Sequence, residues 1–155
     1  MILDLENNLS SDQVLTTGTQ VSTNVIDFGA AGTPAQGLEM LYRKETGTWK
    51  VFNAQVTGTL AGAGGTSVQL LVQVDDDVAF GSAQTLYTSA AIAVATLVAG
   101  YRFLIDKLPP MTAAQAADSR YMRLSWVTVG THTPSAADPC TVTAGFIGGP
   151  VTNVA

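Results

Sequence analysis

Hydrophobic and polar residues alternate in several short stretches of the chain. The clearest stretch is 68–75, where valine or leucine stands at every second position and most residues between them are polar. The same period of two recurs over 101–105, 122–126 and 142–146. Because successive side chains of a strand point to opposite faces of its sheet, this alternation predicts strands with one buried face.

Further strands are predicted by composition and by the turn residues that bound them. A strand over 21–28 ends at a glycine turn, and one over 49–60 ends at the glycine-rich segment 61–65. The segment 90–98 is apolar throughout, and its β-branched residues at alternate positions favour a strand. The alanine-rich segment 112–117 is a candidate for one helical turn.

These six to eight short strands, separated by Gly, Pro, Asp and Ser turns, predict an all-β, single-domain fold that is an antiparallel sandwich or barrel. A chain of 155 residues is long enough to bury its own core, and no linker-like boundary divides it.

The beginning of the chain differs from this pattern. Leu3, Leu5 and Leu9 are interspersed with acidic residues and asparagines, and a serine-rich turn follows them. We therefore predict a short N-terminal arm over residues 1–13 and a β-sandwich domain over 14–155. Two hypotheses stay open for the arm: it packs on its own domain, or it docks on a neighbouring subunit.

Charge is sparse in this chain. Charged residues make up 12% of the sequence, about half the usual share, and the net charge is −5. The three lysines and four arginines do not cluster, so no basic footprint for nucleic acid is present. No basic segment follows Met1, so we expect no signal peptide. The longest apolar run, 90–100, is about half of a membrane span, so we expect no membrane partner.

The surface must then be built mainly from Thr, Ser, Gln and Asn. These side chains lose little conformational entropy when a partner covers them, which favours a protein that works in permanent contacts. A secreted protein would have a similar surface.

Candidate catalytic and metal-binding residues are few. His132 is the only histidine, and its polar turn predicts a surface residue rather than a general base. Cys140 is the only cysteine, so no intrachain disulfide forms and we expect a small core residue. Asp75, Asp76 and Asp77 are interpreted as a solvated turn at a strand end, because their spacing matches no calcium loop. We expect no enzymatic activity, metal or cofactor.

Several segments carry a resemblance to a known family. They are Leu9 to Thr17 with Ser11-Asp12-Gln13, then Ser22-Thr23-Asn24-Val25-Ile26-Asp27-Phe28-Gly29, then 68–77 followed by Phe80-Gly81-Ser82, then Gly100-Tyr101, Leu108-Pro109 and Arg120-Tyr121-Met122-Arg123-Leu124. In this order and spacing they resemble the small capsid cement, or decoration, proteins of tailed bacteriophages, in particular the Bordetella-phage type.

The resemblance implies a jelly-roll-like β-sandwich that assembles as a homotrimer on the outer capsid surface of the virion. Its partners would be further copies of itself and the major capsid protein, whose subunits it would bridge to stabilise the shell. As a hypothesis, the arm reaches a neighbouring subunit through Leu3, Leu5 and Leu9.

Two other functions stay open. The alternative is a carbohydrate- or receptor-binding jelly roll on a phage surface, for which Trp49, Tyr87, Tyr101 and Trp126 are the candidate aromatic contacts. A small secreted hydrolase that uses His132 is a weaker third hypothesis.

Overall fold

Two antiparallel sheets make up the fold in the computed structural model, which describes residues 8–27, 51–103, 105 and 120–147. The strands in this part of the chain are β1 (Asn8–Val14), β2 (Gly18–Val21), β3 (Ile26–Asp27), β4 (Val51–Val56), β5 (Ser67–Asp75), β6 (Gln84–Thr88), β7 (Ile92–Ala93), β8 (Arg102–Phe103), β9 (Tyr121–Val129) and β10 (Thr141–Ile147). A 3-10 turn, Val94–Thr96, lies between β7 and β8. The predicted turn at 112–117 lies outside the described residues.

Strand order gives a jelly roll. Sheet I has the order β1-β10-β4-β8, and sheet II has the order β2-β9-β5-β6. The short strands β3 and β7 pair with β9 and β5, so each extends an edge of sheet II beyond a break. When β2 with β3 and β6 with β7 are each counted as one edge strand, eight strands remain in the order 1-8-3-6 and 2-7-4-5. This is the double Greek-key arrangement of a jelly roll, so the predicted fold class is confirmed.

The core lies between the two sheets. β5 buries Val68, Leu70, Val72 and Val74, as its alternation predicts, and β9 buries the residues that face them. From sheet I, β4 and β10 contribute Phe52 and Phe146, whose rings meet edge to face at 5.4 Å between centroids. The predicted strands around 68–75, 122–126 and 142–146 are therefore confirmed, together with their inward faces.

Both edge strands of sheet II are interrupted at a serine. The Ser22 N–H donates to the Leu124 carbonyl (2.9 Å), and the Leu124 N–H donates to the Ser22 hydroxyl (3.0 Å). Ser89 repeats this arrangement with Leu70, at 2.8 and 2.9 Å. Each hydroxyl replaces a backbone carbonyl of the ladder, so the edge strand stops while the inner N–H stays paired. The prediction of one strand over 21–28 is corrected accordingly.

The segment 90–98 also differs from its prediction. Only Ile92–Ala93 is strand, and a 3-10 turn follows. Val94 and Leu97 are the residues that this segment buries. They stand three positions apart, a spacing that a 3-10 turn places on one side of the chain. An apolar run without polar alternation did not distinguish this turn from a strand.

The predicted N-terminal arm overlaps the first strand. Residues 8–13 belong to β1, which pairs with β10 at the edge of sheet I. Leu9 is fully buried in the core of its own chain, so its side chain is not available to a neighbouring subunit. Leu3 and Leu5 lie outside the described residues, and their predicted role in contacts stays a prediction.

We predict that Leu9→Ala lowers the free energy of unfolding by about 2–5 kcal/mol, because it removes a fully buried side chain. Val14→Ala, on the same strand but 45% exposed, should change it by less than about 0.5 kcal/mol. Denaturant unfolding at two protein concentrations measures both. If both variants lose equally little unfolding free energy, or if the loss caused by Leu9→Ala disappears on dilution, Leu9 lies in a subunit contact instead.

We also predict that Ser22→Ala and Ser89→Ala each cost about 1–3 kcal/mol, because each leaves a buried backbone N–H without its acceptor. Ser67→Ala, whose hydroxyl lies on the outer face of β5, is the matched control. Unfolding midpoints for the two variants that coincide with that of the control would contradict the proposed pairing.

Candidate interaction face

The outer face of sheet II contains a patch without charged side chains. Directly paired residues of antiparallel strands point to the same face. One row of such residues across the sheet contains Thr88, Leu71, Ser125 and Val21. The second row contains Gln69, Val127 and Thr19, and the third contains Ser67 and Val129. We call these nine residues the uncharged face. Val21 and Val129 are 46% and 51% exposed, so apolar surface is open to a partner there.

Side chains on this face have little freedom left to lose. Val21, Val127, Val129, Thr19 and Thr88 are β-branched and therefore stiff at χ1. The Gln69 amide donates to the Ser89 carbonyl at 2.9 Å, which fixes the longest side chain of the patch. A partner that covers the face would order few side chains, so the entropic cost of association is low.

Charged groups meet at the end of sheet II where β9 begins. The Arg120 guanidinium donates two hydrogen bonds to the Asp27 carboxylate, at 3.0 and 2.9 Å. These bonds raise the pKa of Arg120. The Arg123 guanidinium lies 4.2 Å from the centre of the Phe80 ring and donates to the Gln73 amide oxygen at 3.0 Å. Both arginines are thus held at this end of the sheet.

Asp75 is buried, contrary to the prediction of a fully solvated acidic turn. Its carboxylate accepts hydrogen bonds from the Ser82 N–H (2.9 Å), the Ser82 hydroxyl (3.1 Å) and the Asp77 N–H (3.1 Å). Burial by itself raises the pKa of Asp75, but hydrogen bonds from Asp77, Asp76 and Ser82 outweigh it, so the pKa is lowered. Asp76 and Asp77 are exposed, as predicted. The carboxylate therefore closes the turn that carries Phe80.

We predict that this carboxylate makes stability depend on pH. Because the pKa of folded Asp75 lies below its ordinary value of 3.8, its stabilisation is complete above about pH 4 and is lost as the pH falls through the folded pKa. Asp75→Asn should cost about 1–3 kcal/mol at pH 7, since the amide cannot accept all three bonds. The cost should shrink at pH 2.5. Asp77→Asn, at an exposed carboxylate, is the control, and an equal cost of Asp75→Asn at both pH values would contradict the assignment.

The N-terminal segments that carry the family resemblance are joined to each other in space. The Ser10 hydroxyl accepts from the Trp126 indole at 3.3 Å and donates to the Gln13 amide oxygen at 2.8 Å. The Gln13 amide in turn donates to the Val21 carbonyl at 2.7 Å. The Asn24 amide donates to the Asn8 carbonyl at 2.9 Å. These residues tie the β1 edge of sheet I to the β2 edge of sheet II, so their role in the described structure is architectural.

His132 is buried, so the prediction of a surface residue is wrong. Its backbone N–H donates to the Thr17 hydroxyl at 2.9 Å, which fixes the loop between β9 and β10. Neither ring nitrogen has a hydrogen-bond partner among the described residues. A side chain on Gly65, which has φ +83°, would meet the imidazole, so the ring packs directly against that glycine backbone. No local pattern predicts this contact, because it joins loops far apart in the chain.

The other candidate residues are placed as follows. Cys140 is fully buried, as predicted, and burial, with a smaller contribution from Asp138, raises the pKa of its thiol. Trp126 is fully buried in the core, and Trp49 lies outside the described residues. Tyr87 and Tyr101 are half-buried and meet at one cleft.

This cleft, of about 220 Å³, opens between the edges of the two sheets and is lined by Tyr87, Ser89, Ala90, Ile92, Tyr101 and Phe103. The rings of Tyr101 and Phe103 meet edge to face at 5.5 Å, and Phe103 meets Trp126 in the same way at 5.4 Å. The Ser89 hydroxyl is already engaged by the Leu70 N–H and the Ala90 carbonyl. The cleft is therefore mainly apolar.

Within the described ranges, no three His, Cys, Asp or Glu side chains lie together as ligands for a metal ion. Nor does that part of the chain contain a helix long and apolar enough to cross a membrane.

Comparisons with known proteins bear on the identity of the chain. A comparison with curated proteins finds no match. The model of the Bbp16 family matches residues 9–143, which is most of the chain and extends from β1 to the beginning of β10. The resemblance to a Bordetella-phage protein is thereby confirmed at the level of the family. The chain belongs to the Bbp16 family, a Bordetella phage protein family, and this membership indicates a phage structural protein.

Proposed function

We propose that this chain is a capsid cement protein that binds the outer surface of a phage capsid and bridges neighbouring subunits of the major capsid protein. The observation that carries the proposal is the uncharged face on a member of a phage family, a stiff protein surface whose centre at Ser125 is buried and where Val21 and Val129 are exposed. A cement protein needs such a surface, because it must remain attached without chemical change. We further propose that the chain acts without catalysis.

The size of the uncharged face supports a role in which several contacts act together. Its rows span four strand positions and about five residues along β5, or roughly 300–400 Å², against about 800 Å² per partner in a standard interface. One such contact is weak. Linked copies raise the effective concentration of each further contact, so an assembly holds the shell more tightly than one chain does. We propose the homotrimer expected from the resemblance as that assembly.

A carbohydrate- or receptor-binding function is the second candidate, and the meeting of Tyr87 and Tyr101 at one cleft favours it. Sugar recognition also needs polar groups beside the aromatic rings. The engaged Ser89 hydroxyl makes this cleft a poor match, so we place the function second. Saturable binding to a glycan array that is lost in Tyr101→Ser would reverse this order.

We predict that Val21→Asp and Val129→Asp each weaken binding to purified empty capsids at least about tenfold, because a carboxylate would lose its water in a contact that offers it no partner. Both valines are exposed to solvent, so the substitutions should not affect folding. Val98→Asp is the matched control: Val98 is 49% exposed but lies outside the uncharged face. Co-sedimentation with capsids measures all three variants.

Equal binding by Val21→Asp, Val129→Asp and the control would remove the uncharged face from the contact. Absence of binding by the unchanged protein would contradict the cement function itself.

A further inference from the structure

We propose that the cleft between β8 and the β6–β7 edge receives the segment Leu3-Asp4-Leu5-Glu6 of a second copy of this chain, as an added strand beside β8. The inference rests on the self-association contained in the proposed function, but not on the capsid contact. It assigns a place to the two arm leucines that remain after Leu9 is found in the core.

The free side of β8 is an open edge in the described part of the chain. In the described part of the chain, β8 is the last strand of sheet I and pairs only with β4, through Ala54↔Phe103 and Gln55↔Arg102. An edge strand presents unpaired N–H and C=O groups along its free side. An extended segment can pair with these groups while its alternate side chains enter pockets of the receiving domain.

The size and lining of the cleft suit leucine side chains. Its volume of about 220 Å³ lies below the roughly 300–1,000 Å³ of small-molecule sites. An apolar cavity of about 150 Å³ is sufficient for benzene. The cleft is therefore of a size for one or two leucine side chains rather than for a larger ligand. Tyr101, Phe103 and Ile92 would provide apolar contact to a leucine.

The charge beside the cleft is opposite to that of the segment. Arg102 stands beside the cleft on β8, is exposed, and forms no ion pair with any of the described residues. In contrast, Arg120 binds Asp27, and Arg123 is held over Phe80. On β8, the Arg102 side chain faces outward, whereas the Phe103 side chain faces the core.

The segment 3–6 has the complementary alternation. In an extended strand Leu3 and Leu5 point to one side, and Asp4 and Glu6 point to the other. Placed beside β8, the leucines would face the cleft and the two carboxylates would face Arg102. Both the apolar side and the acidic side of the segment thus find a matching partner.

Chain length favours a second copy as the donor of this segment. β1 and β8 are the opposite edges of sheet I, three strand spacings apart, or about 14 Å at roughly 4.8 Å per spacing. Leu5 precedes Asn8 by three residues, which span at most about 11 Å when fully extended. Leu5 of the same chain therefore falls short of the β8 edge, whereas a neighbouring copy has no such restriction.

The proposal is tested by self-association of full-length variants in solution without capsids. We predict that Leu3→Asp combined with Leu5→Asp weakens self-association at least about tenfold, so that light scattering approaches the single-chain mass of 16.0 kDa. Arg102→Glu should do the same. Ile2→Asp, on the opposite side of the extended segment, should associate like the unchanged protein. Equal thermal unfolding midpoints for all variants exclude loss of folding.

Charge exchange gives a sharper test. Arg102→Glu combined with Asp4→Lys and Glu6→Lys should recover most of the association that Arg102→Glu alone loses. In addition, a synthetic peptide of residues 1–9 should bind the Leu3→Asp, Leu5→Asp variant and perturb the NMR signals of Arg102 and Phe103.

Three results would overturn the proposal. The first is that the unchanged protein is a monomer. The second is that the Leu3→Asp, Leu5→Asp variant and the Arg102→Glu variant both still associate. The third is that the peptide binds although the Leu3→Asp, Leu5→Asp variant keeps its full assembled mass. The last result would assign the cleft to the chain's own segment. None of these outcomes depends on capsid binding, so failure here and failure of the cement function are distinguishable.

Discussion

The pairing of β5 with β9 is the constraint on which the rest of the structure depends. These strands are in continuous register from Ser67↔Val129 to Asp75↔Tyr121. Because the side-chain period of a strand is two, one register fixes both faces of sheet II at once. The inner face supplies Leu70 and Trp126 to the core, and the outer face supplies the uncharged rows. A slip of one residue would exchange the two faces.

The edges of the sheets determine which backbone groups stay open to a partner. Ser22 and Ser89 stop the outer strands of sheet II but keep the inner N–H groups paired, so long open edges do not form there. In sheet I, the edge strand β8 is short, and the cleft between it and the β6–β7 edge is mainly apolar. The described surface thus combines a stiff uncharged face with an open edge. Both features suit a protein that acts by contact.

Much of the fold was predictable from local pattern. The alternation in β5, β9 and β10 marks strands with one buried face, and that signal is carried by neighbouring residues alone. Strand order is not local, so the jelly roll was distinguished from other sandwiches and barrels only by the resemblance. The apolar segment around Val94 and the break at Ser22 were missed because hydrogen bonds to distant strands decide them.

The candidate site was less predictable for the same reason. The surface position predicted for His132 was wrong because the packing of Gly65 against its ring joins two separate loops. Asp75 resembles its exposed neighbours in sequence, and its burial and the bonds from Ser82 and the Asp77 N–H set it apart. Leu9 was grouped with Leu3 and Leu5, although the pairing of β1 with β10 places it in the core. The uncharged face becomes visible only when cross-strand rows are known.

We propose this chain as a structural component of the capsid surface. The most direct measurement is its copy number in purified phage particles, by quantitative mass spectrometry against the major capsid protein. We expect a fixed ratio with many copies per particle, together with release of the chain when the shell is dissociated. A few copies per particle, or none, would contradict it and would favour a receptor-binding component instead.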